Sequence, residues 1–170
     1  MTKVWLYSDP HLYHQNIIKY ENRPFKNVEE MNEVLLSNYN SLVRKDDKVF
    51  WLGDVGIGNK EKIKNIVNKF NGNKILIMGN HDRKNIHWHY DCGFKEVYKY
   101  PIIYNQFYIL SHKPVYISEN MPYVNCYGHL HSKIVESDHN QYFNCCVENH
   151  NYKPILFTDV ASMYTDKEEI

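Results

Sequence analysis

The chain has 170 residues, with 20 basic and 20 acidic side chains and a formal net charge of zero. That length suits one domain with an ordinary core, expected over residues 1–170. The balanced charge argues against a protein that grips long nucleic acid by its overall field, while leaving room for a local basic groove. An apolar fraction of 43% and a charged fraction of 24% exclude disorder over most of the length.

Residues 3–8 read as a buried strand. Val28, Met31, Leu35, Tyr39 and Leu42 then recur at three- and four-residue steps, the apolar stripe of a helix. Asn27 with Glu30 three positions later has the spacing of an N-cap and its capping-box partner. Residues 48–52 are a second strand. Ile63, Ile66, Val67 and Phe70 form a second helical stripe, stopped by Asn71-Gly72, and residues 74–78 are a third strand. A βαβαβ order of this kind implies a parallel sheet with right-handed crossovers.

From Phe94 onward the pattern changes to short β-prone runs between turn signals: 94–104, 107–111, 123–127, 142–147 and 154–157, with a short helix expected near 159–168. A second, mixed or more antiparallel sheet packed on the first is expected. The fold class is therefore an α/β sandwich, two mixed sheets flanked by helices. The irregular stretch from Pro114 to Pro122 is a candidate substrate-facing loop. Cys92, Cys126, Cys145 and Cys146 contain no CxxC pair and read as free buried thiols, with the adjacent Cys145 and Cys146 on opposite faces of a strand. The N-terminus lacks the apolar run and cleavage site of a secretory signal, and no segment is long and apolar enough to span a bilayer. A soluble cytoplasmic protein is expected.

Chemistry concentrates where the apolar runs end. The first strand runs into Ser8-Asp9-Pro10-His11, the second into Gly53-Asp54 and the third into Gly79-Asn80-His81-Asp82. Later runs lead into Ser111-His112 and Gly128-His129-Leu130-His131. The C-terminal edge of an open α/β sheet is where ligands bind. Glycine before Asp54, Asn80 and His129 suits sharp exits from the sheet. Carboxylate, amide and imidazole without thiolate suit manganese, iron, zinc, nickel or cobalt. The donors exceed what one tetrahedral ion needs, which points to two divalent ions.

Asp9-Pro10-His11, Gly53-Asp54, Gly79-Asn80-His81-Asp82, His112 and Gly128-His129-Leu130-His131, in that order, resemble the calcineurin-like metallophosphoesterase family. The resemblance implies that Asp9, His11, Asp54 and His131 surround one metal, and Asp54, Asn80, His112 and His129 the other. Asp54 would bridge. A hydroxide held between ions about 3.5–4 Å apart would attack phosphorus in line. His81 would be the catalytic histidine beside the leaving oxygen, with Asp82 either fixing its tautomer or starting the next helix.

Among the other histidines, His14 either faces substrate or is a structural or solvent-facing residue. His87 and His89 fall in a helix and read as aromatic packing, His139 as surface and His150 as part of a turn. Val55-Gly56-Ile57-Gly58 lacks the arginine that protein serine/threonine phosphatases place after this motif. The resemblance thus implies a phosphodiesterase acting on a small or nucleotide-like phosphate ester. The alternatives are a nuclease or a general phosphomonoesterase with the same centre, and a non-catalytic protein-binding scaffold.

Overall fold

The computed structural model describes residues 1–164. The chain runs β1 (Val4–Tyr7), α1 (Gln15–Tyr20), α2 (Val28–Asn40), β2 (Lys48–Trp51), α3 (Lys60–Val67), β3 (Asn73–Ile77), α4 (Ile86–Asp91) and β4 (Glu96–Tyr98). It continues through β5 (Ile102–Tyr104), β6 (Tyr108–Ser111), β7 (Val124–Tyr127), β8 (Tyr142–Asn144), a 3-10 turn (Val147–His150), β9 (Ile155–Leu156) and α5 (Phe157–Ser162). Two sheets result, ordered β4-β3-β2-β1-β9 and β5-β6-β7-β8. The first is parallel except for its β9 edge; the second is parallel except for β5.

Strand alternation explains the layers. Trp5, Tyr7, Val49, Trp51 and Leu76 face α2 and α3, packing on Met31, Leu35, Tyr39, Ile63 and Val67. Leu6, Phe50, Leu52, Ile75 and Ile77 point the opposite way, into the gap between the sheets, against Tyr108, Leu110, Val124 and Cys126. Because both faces of the first sheet are covered, its strands carry continuous apolar runs. The helix caps follow the polar residues ahead of each helix: Asn27 accepts from the Glu30 N–H at 2.8 Å, and Asn59 from the Lys62 N–H at 2.9 Å. Glu30 reaches back to the Lys26 N–H at 2.6 Å, one residue before the cap itself.

Several expected elements are resolved differently. The run 94–104 is two strands in two sheets, separated at Lys99-Tyr100-Pro101, since proline cannot donate within a ladder. The run 142–147 stops pairing at Asn144, and Cys145-Cys146 leads into the 3-10 turn. Their thiols diverge as expected: Cys145 lies in the inter-sheet core, while the Cys146 Sγ approaches the Asp9 carboxylate. All four cysteines are free and buried. The last helix begins two residues earlier than expected, at Phe157; the expected span beyond 164 lies outside the described residues. α1 has no counterpart in the sequence reading. No helix among the described residues is long and apolar enough to cross a membrane.

Asp47 ties the start of the first sheet together. Its carboxylate accepts from the Lys3 and Arg44 backbone N–H groups, each at 2.9 Å, and from the Trp5 indole at 3.0 Å. Burial pushes its pKa up, but these donors together hold it below the ordinary value. Asp47→Ala should cost about 2 kcal/mol at neutral pH in urea unfolding, because the donors lose their acceptor. The folded pKa is the depressed one, so the contribution is present above about pH 4 and lost as the pH falls through the folded value. The difference between wild type and variant should therefore narrow in acid. A difference that is unchanged at low pH would contradict this account.

Candidate metal centre

β1, β2, β3, β6 and β7 all end on one side of the molecule, and the loops leaving them interlock. The Asp9 N–H donates to the Gly53 carbonyl at 3.2 Å, and the Gly128 N–H to the His112 carbonyl at 2.9 Å. The approach is closest at Gly128, where a Cβ would fall on the Ser8 hydroxyl and the Asp9 carboxylate. Gly53 adopts φ +94°, and a Cβ there would meet the Gly79 backbone. Asp9, His11, Asp54, His129 and His131 themselves have φ between +49° and +68°. Left-handed conformations at non-glycine residues cost of order 1–3 kcal/mol each and persist where surrounding bonds enforce them.

The result is two overlapping sets of inward-facing donor atoms. Asp9, His11 and His131 place one ligand atom each within 4.8 Å of one another, as do Asp54, His112 and His129. Asp54 Oδ2 stands 3.5 Å from both His11 Nε2 and His112 Nε2, between the sets. Asn80 Oδ1 is 2.9 Å from His112 Nε2. All seven residues expected to hold metal are thus brought to one place.

The polar contacts of these groups point to cations. Asp9 Oδ2 is saturated, accepting from Ser8 Oγ at 2.5 Å, the His129 N–H at 2.9 Å and Cys146 Sγ at 3.4 Å. Its other oxygen, Oδ1, is buried without a hydrogen bond, and so is His11 Nε2, 3.7 Å away. With Nδ1 of His112 donating to the Leu52 carbonyl at 2.8 Å, its Nε2 turns a lone pair toward the Asn80 oxygen. Buried acceptors facing one another without protons between them are what a divalent ion satisfies. Burial would raise the Asp9 pKa, but the surrounding rings of His11, His112 and His131 hold it well below the carboxylate range.

An outer layer orients the imidazoles. His11 Nδ1 lies 3.2 Å from His14 Nδ1. Burial, followed by the nearby His11 and His81, pulls the His14 pKa down to about 4, so His14 is neutral and can accept the His11 proton. His14 therefore stands behind His11, which is the structural reading among those its position allowed. His131 Nδ1 is 3.0 Å from Glu148 Oε1, which also receives the Arg23 guanidinium at 2.6 Å. The same guanidinium donates to the carbonyls of Asp9 and Pro10 at 2.8 and 2.9 Å, clamping the left-handed turn. Arg23 and Glu148 escaped the sequence reading, and Cys146 was read there only as a buried thiol. Cys146 and Glu148 form a third donor group with His131, but their hydrogen bonds make them supports of the first set.

His81 is exposed, its backbone N–H bonded to Asp54 Oδ1 at 2.8 Å and its ring 5.4 Å from that of His11. Asp82 differs from both expectations. Its carboxylate accepts the backbone N–H groups of Asp54, Gly79 and Val55 at 2.7, 2.8 and 3.0 Å, and the cap of α4 is Asn85. It therefore ties the Gly53 and Gly79 loops together instead of holding the His81 ring. Burial raises its pKa, opposed by the Gly79 hydrogen bond. His89 packs edge-on against Trp88, as expected for that helix, while His139 lies near Glu119 and His150 stacks on Phe143. The 114–122 loop reaches the site only at its start, where Pro114 and Val115 border a cavity beside Asn80 and His112.

The α/β sandwich thus carries two adjoining carboxylate–imidazole sets at its strand ends, each of which could hold a metal ion. The family model of calcineurin-like phosphoesterases matches residues 2–166, and the chain belongs to that family. It is 36% identical over 164 residues to the uncharacterized protein MJ1445 of Methanocaldococcus jannaschii, covering 91% of this chain and 87% of that one. The Gene 66 protein of Mycobacterium phage L5 is 36% identical over 85 residues, 48% of this chain and 41% of that protein. The crystal structure of AQ665, a protein of unknown function from Aquifex aeolicus, is similar over 96% of this chain and 100% of its own, with TM-score 0.72 and 25% identity. A nuclease named MPE from Pseudomonas putida shares the fold at TM-score 0.50 and 18% identity, over 75% of this chain and 60% of its own.

The Arg23–Glu148 pair gives a direct check on the outer layer, since the side chains are 0% and 6% exposed. Glu148→Gln keeps the shape but strands a buried guanidinium, which should cost about 3 kcal/mol. Loss of the His131 anchor should also weaken manganese binding by about tenfold. Denaturation of the apoprotein and calorimetric titration with manganese measure the two effects. Wild-type values in both would contradict the assignment.

Proposed function

We propose that this protein is a dinuclear-metal phosphoesterase, a phosphodiesterase acting on a small or nucleotide-like ester. The observation that carries the reading is the pair of buried, unpartnered acceptors, Asp9 Oδ1 and His11 Nε2, beside an Asp54 oxygen shared with His112. Asp9, His11, Asp54 and His131 would hold one divalent ion; Asp54, Asn80, His112 and His129 the other. The donor set suits manganese, iron, zinc, nickel or cobalt. Such ions, when bound, supply an activated water at neutral pH and neutralise charge on the phosphate.

The chain's own residues do the rest. Asp54 would keep the two sets in register through Oδ2, 3.5 Å from both His11 Nε2 and His112 Nε2, while its Oδ1 accepts the His81 backbone N–H. His81, standing at the solvent side of the His11 ring, is placed to give a proton to the leaving oxygen. Overall, water oxygen bonds to phosphorus, the ester P–O bond breaks, and the alcohol departs protonated. The diester preference is supported by the absence of an arginine in Val55-Gly56-Ile57-Gly58 that would grip a dianionic monoester.

Chelator-treated protein should be inactive and regain hydrolysis with manganese, turning over bis(p-nitrophenyl) phosphate faster than p-nitrophenyl phosphate. On a diester with an alkyl leaving group, His81→Ala should lower kcat by about 10²–10⁴-fold while metal content stays at the wild-type value. Undiminished kcat in that variant would remove His81 from the mechanism. No turnover of either ester with metal restored would refute the enzymatic reading and favour a binding scaffold.

A further inference from the structure

A cavity of about 270 Å³ opens beside His81, while Asn80 and His112 line a separate one. Small-molecule sites typically measure about 300–1,000 Å³, so this one accommodates a portion of a substrate. Its walls are largely apolar: Val55 and Ile63 are buried, Ile57 is exposed, and the Trp88 indole forms one side, with the buried His89 ring, whose nitrogens make no hydrogen bond, also in the lining. At its mouth stand Arg83 and Lys84, both exposed. Arg83 is anchored by an Nε–H bond to the Asn80 carbonyl at 3.2 Å, which keeps this cation at the margin of the metal centre. The acidic side chain in the lining, Asp82, has its carboxylate occupied by three backbone N–H groups.

We propose that this cavity receives the leaving group of the substrate and that the leaving group is a nucleoside phosphate. The inference rests on the phosphoesterase reading and deepens it. If His81 protonates the leaving oxygen, the departing alcohol lies against its ring, at the entrance to this cavity. Apolar walls with one aromatic side suit a flat heterocycle, which stacks regardless of base identity. Two adjacent cations suit an anion next to that heterocycle, and a phosphate one nucleoside away from the scissile one supplies it. The side chain of a phosphoserine would leave the apolar walls empty and the cations without a partner. A dinucleotide and a nucleic-acid strand present the same leaving group, so the chemistry is shared by both sources.

The test is calorimetric binding of two probes to manganese-loaded protein: inorganic phosphate, and adenosine 3′,5′-bisphosphate, which adds the nucleoside and the second phosphate. The bisphosphate should bind at least about tenfold tighter than phosphate. That ratio should fall about tenfold in the surface double variant Arg83→Gln/Lys84→Gln. It should fall similarly in Ile57→Glu, which sets a carboxylate in the cavity mouth at a half-exposed position. Equal affinity for both probes in the wild type, or an unchanged ratio in both variants, would overturn the proposal. Failure of inorganic phosphate to bind would instead count against the metal centre, and bisphosphate binding to chelator-treated protein, weakened in both variants, would then still support the cavity assignment, while its absence would overturn it. Comparing hydrolysis of a phosphorylated thymidine dinucleotide with a short oligothymidylate then separates the two sources; preference for one of them supports the assignment, and no turnover of either argues against it.

Discussion

Two carboxylates and four imidazoles crowd the C-terminal edge of the sheets with more lone pairs than protons among them. Asp9 Oδ1 and His11 Nε2 are buried and unbonded, and the free nitrogen of His112 faces the Asn80 oxygen at 2.9 Å. In an apolar molecule such an arrangement is costly, since buried polar groups without partners each forfeit roughly 1–3 kcal/mol. The fold nevertheless concentrates them, and five of the loop residues concerned adopt left-handed backbone conformations. Cations between these acceptors would turn the same crowding into coordination, and the remaining features of the edge follow from holding the donors still.

That holding is done by neighbours that never face the centre. Three of the four inward-turned rings have the outer nitrogen engaged, each by a different device: His14 behind His11, Glu148 behind His131, and the Leu52 carbonyl behind His112. Asp82 fastens the loops after β2 and β3 to one another, and Arg23 fastens the turn after β1 to the 3-10 turn before β9. Secondary partners of this kind set tautomer and direction for metal-binding imidazoles. They also explain why the chain tolerates a buried guanidinium: its carboxylate partner and two carbonyls satisfy it at close range.

The two-layer plan was legible because it rests on periodicity: stripes such as Met31-Leu35-Tyr39 and continuous runs such as Val49–Leu52 announce the faces they bury. The site was legible through position, as ligand-type residues followed five strand ends in order. What stayed hidden has no local signature. Arg23 and Glu148 are 125 residues apart in sequence, and neither belongs to a spaced pattern. Asp82 sits in a recognisable motif, yet its partners are backbone amides, which sequence cannot name. The division of residues 94–104 between two sheets depended on Pro101, read too weakly against a β-prone background.

The central claim is that two ions share Asp54. Electron paramagnetic resonance of the apoprotein titrated with manganese addresses it most directly. With two equivalents the account predicts the multiline spectrum of an exchange-coupled manganese pair, lost in Asp54→Asn. A spectrum of isolated six-line manganese at every stoichiometry in the wild type would contradict a shared carboxylate and the dinuclear site built on it.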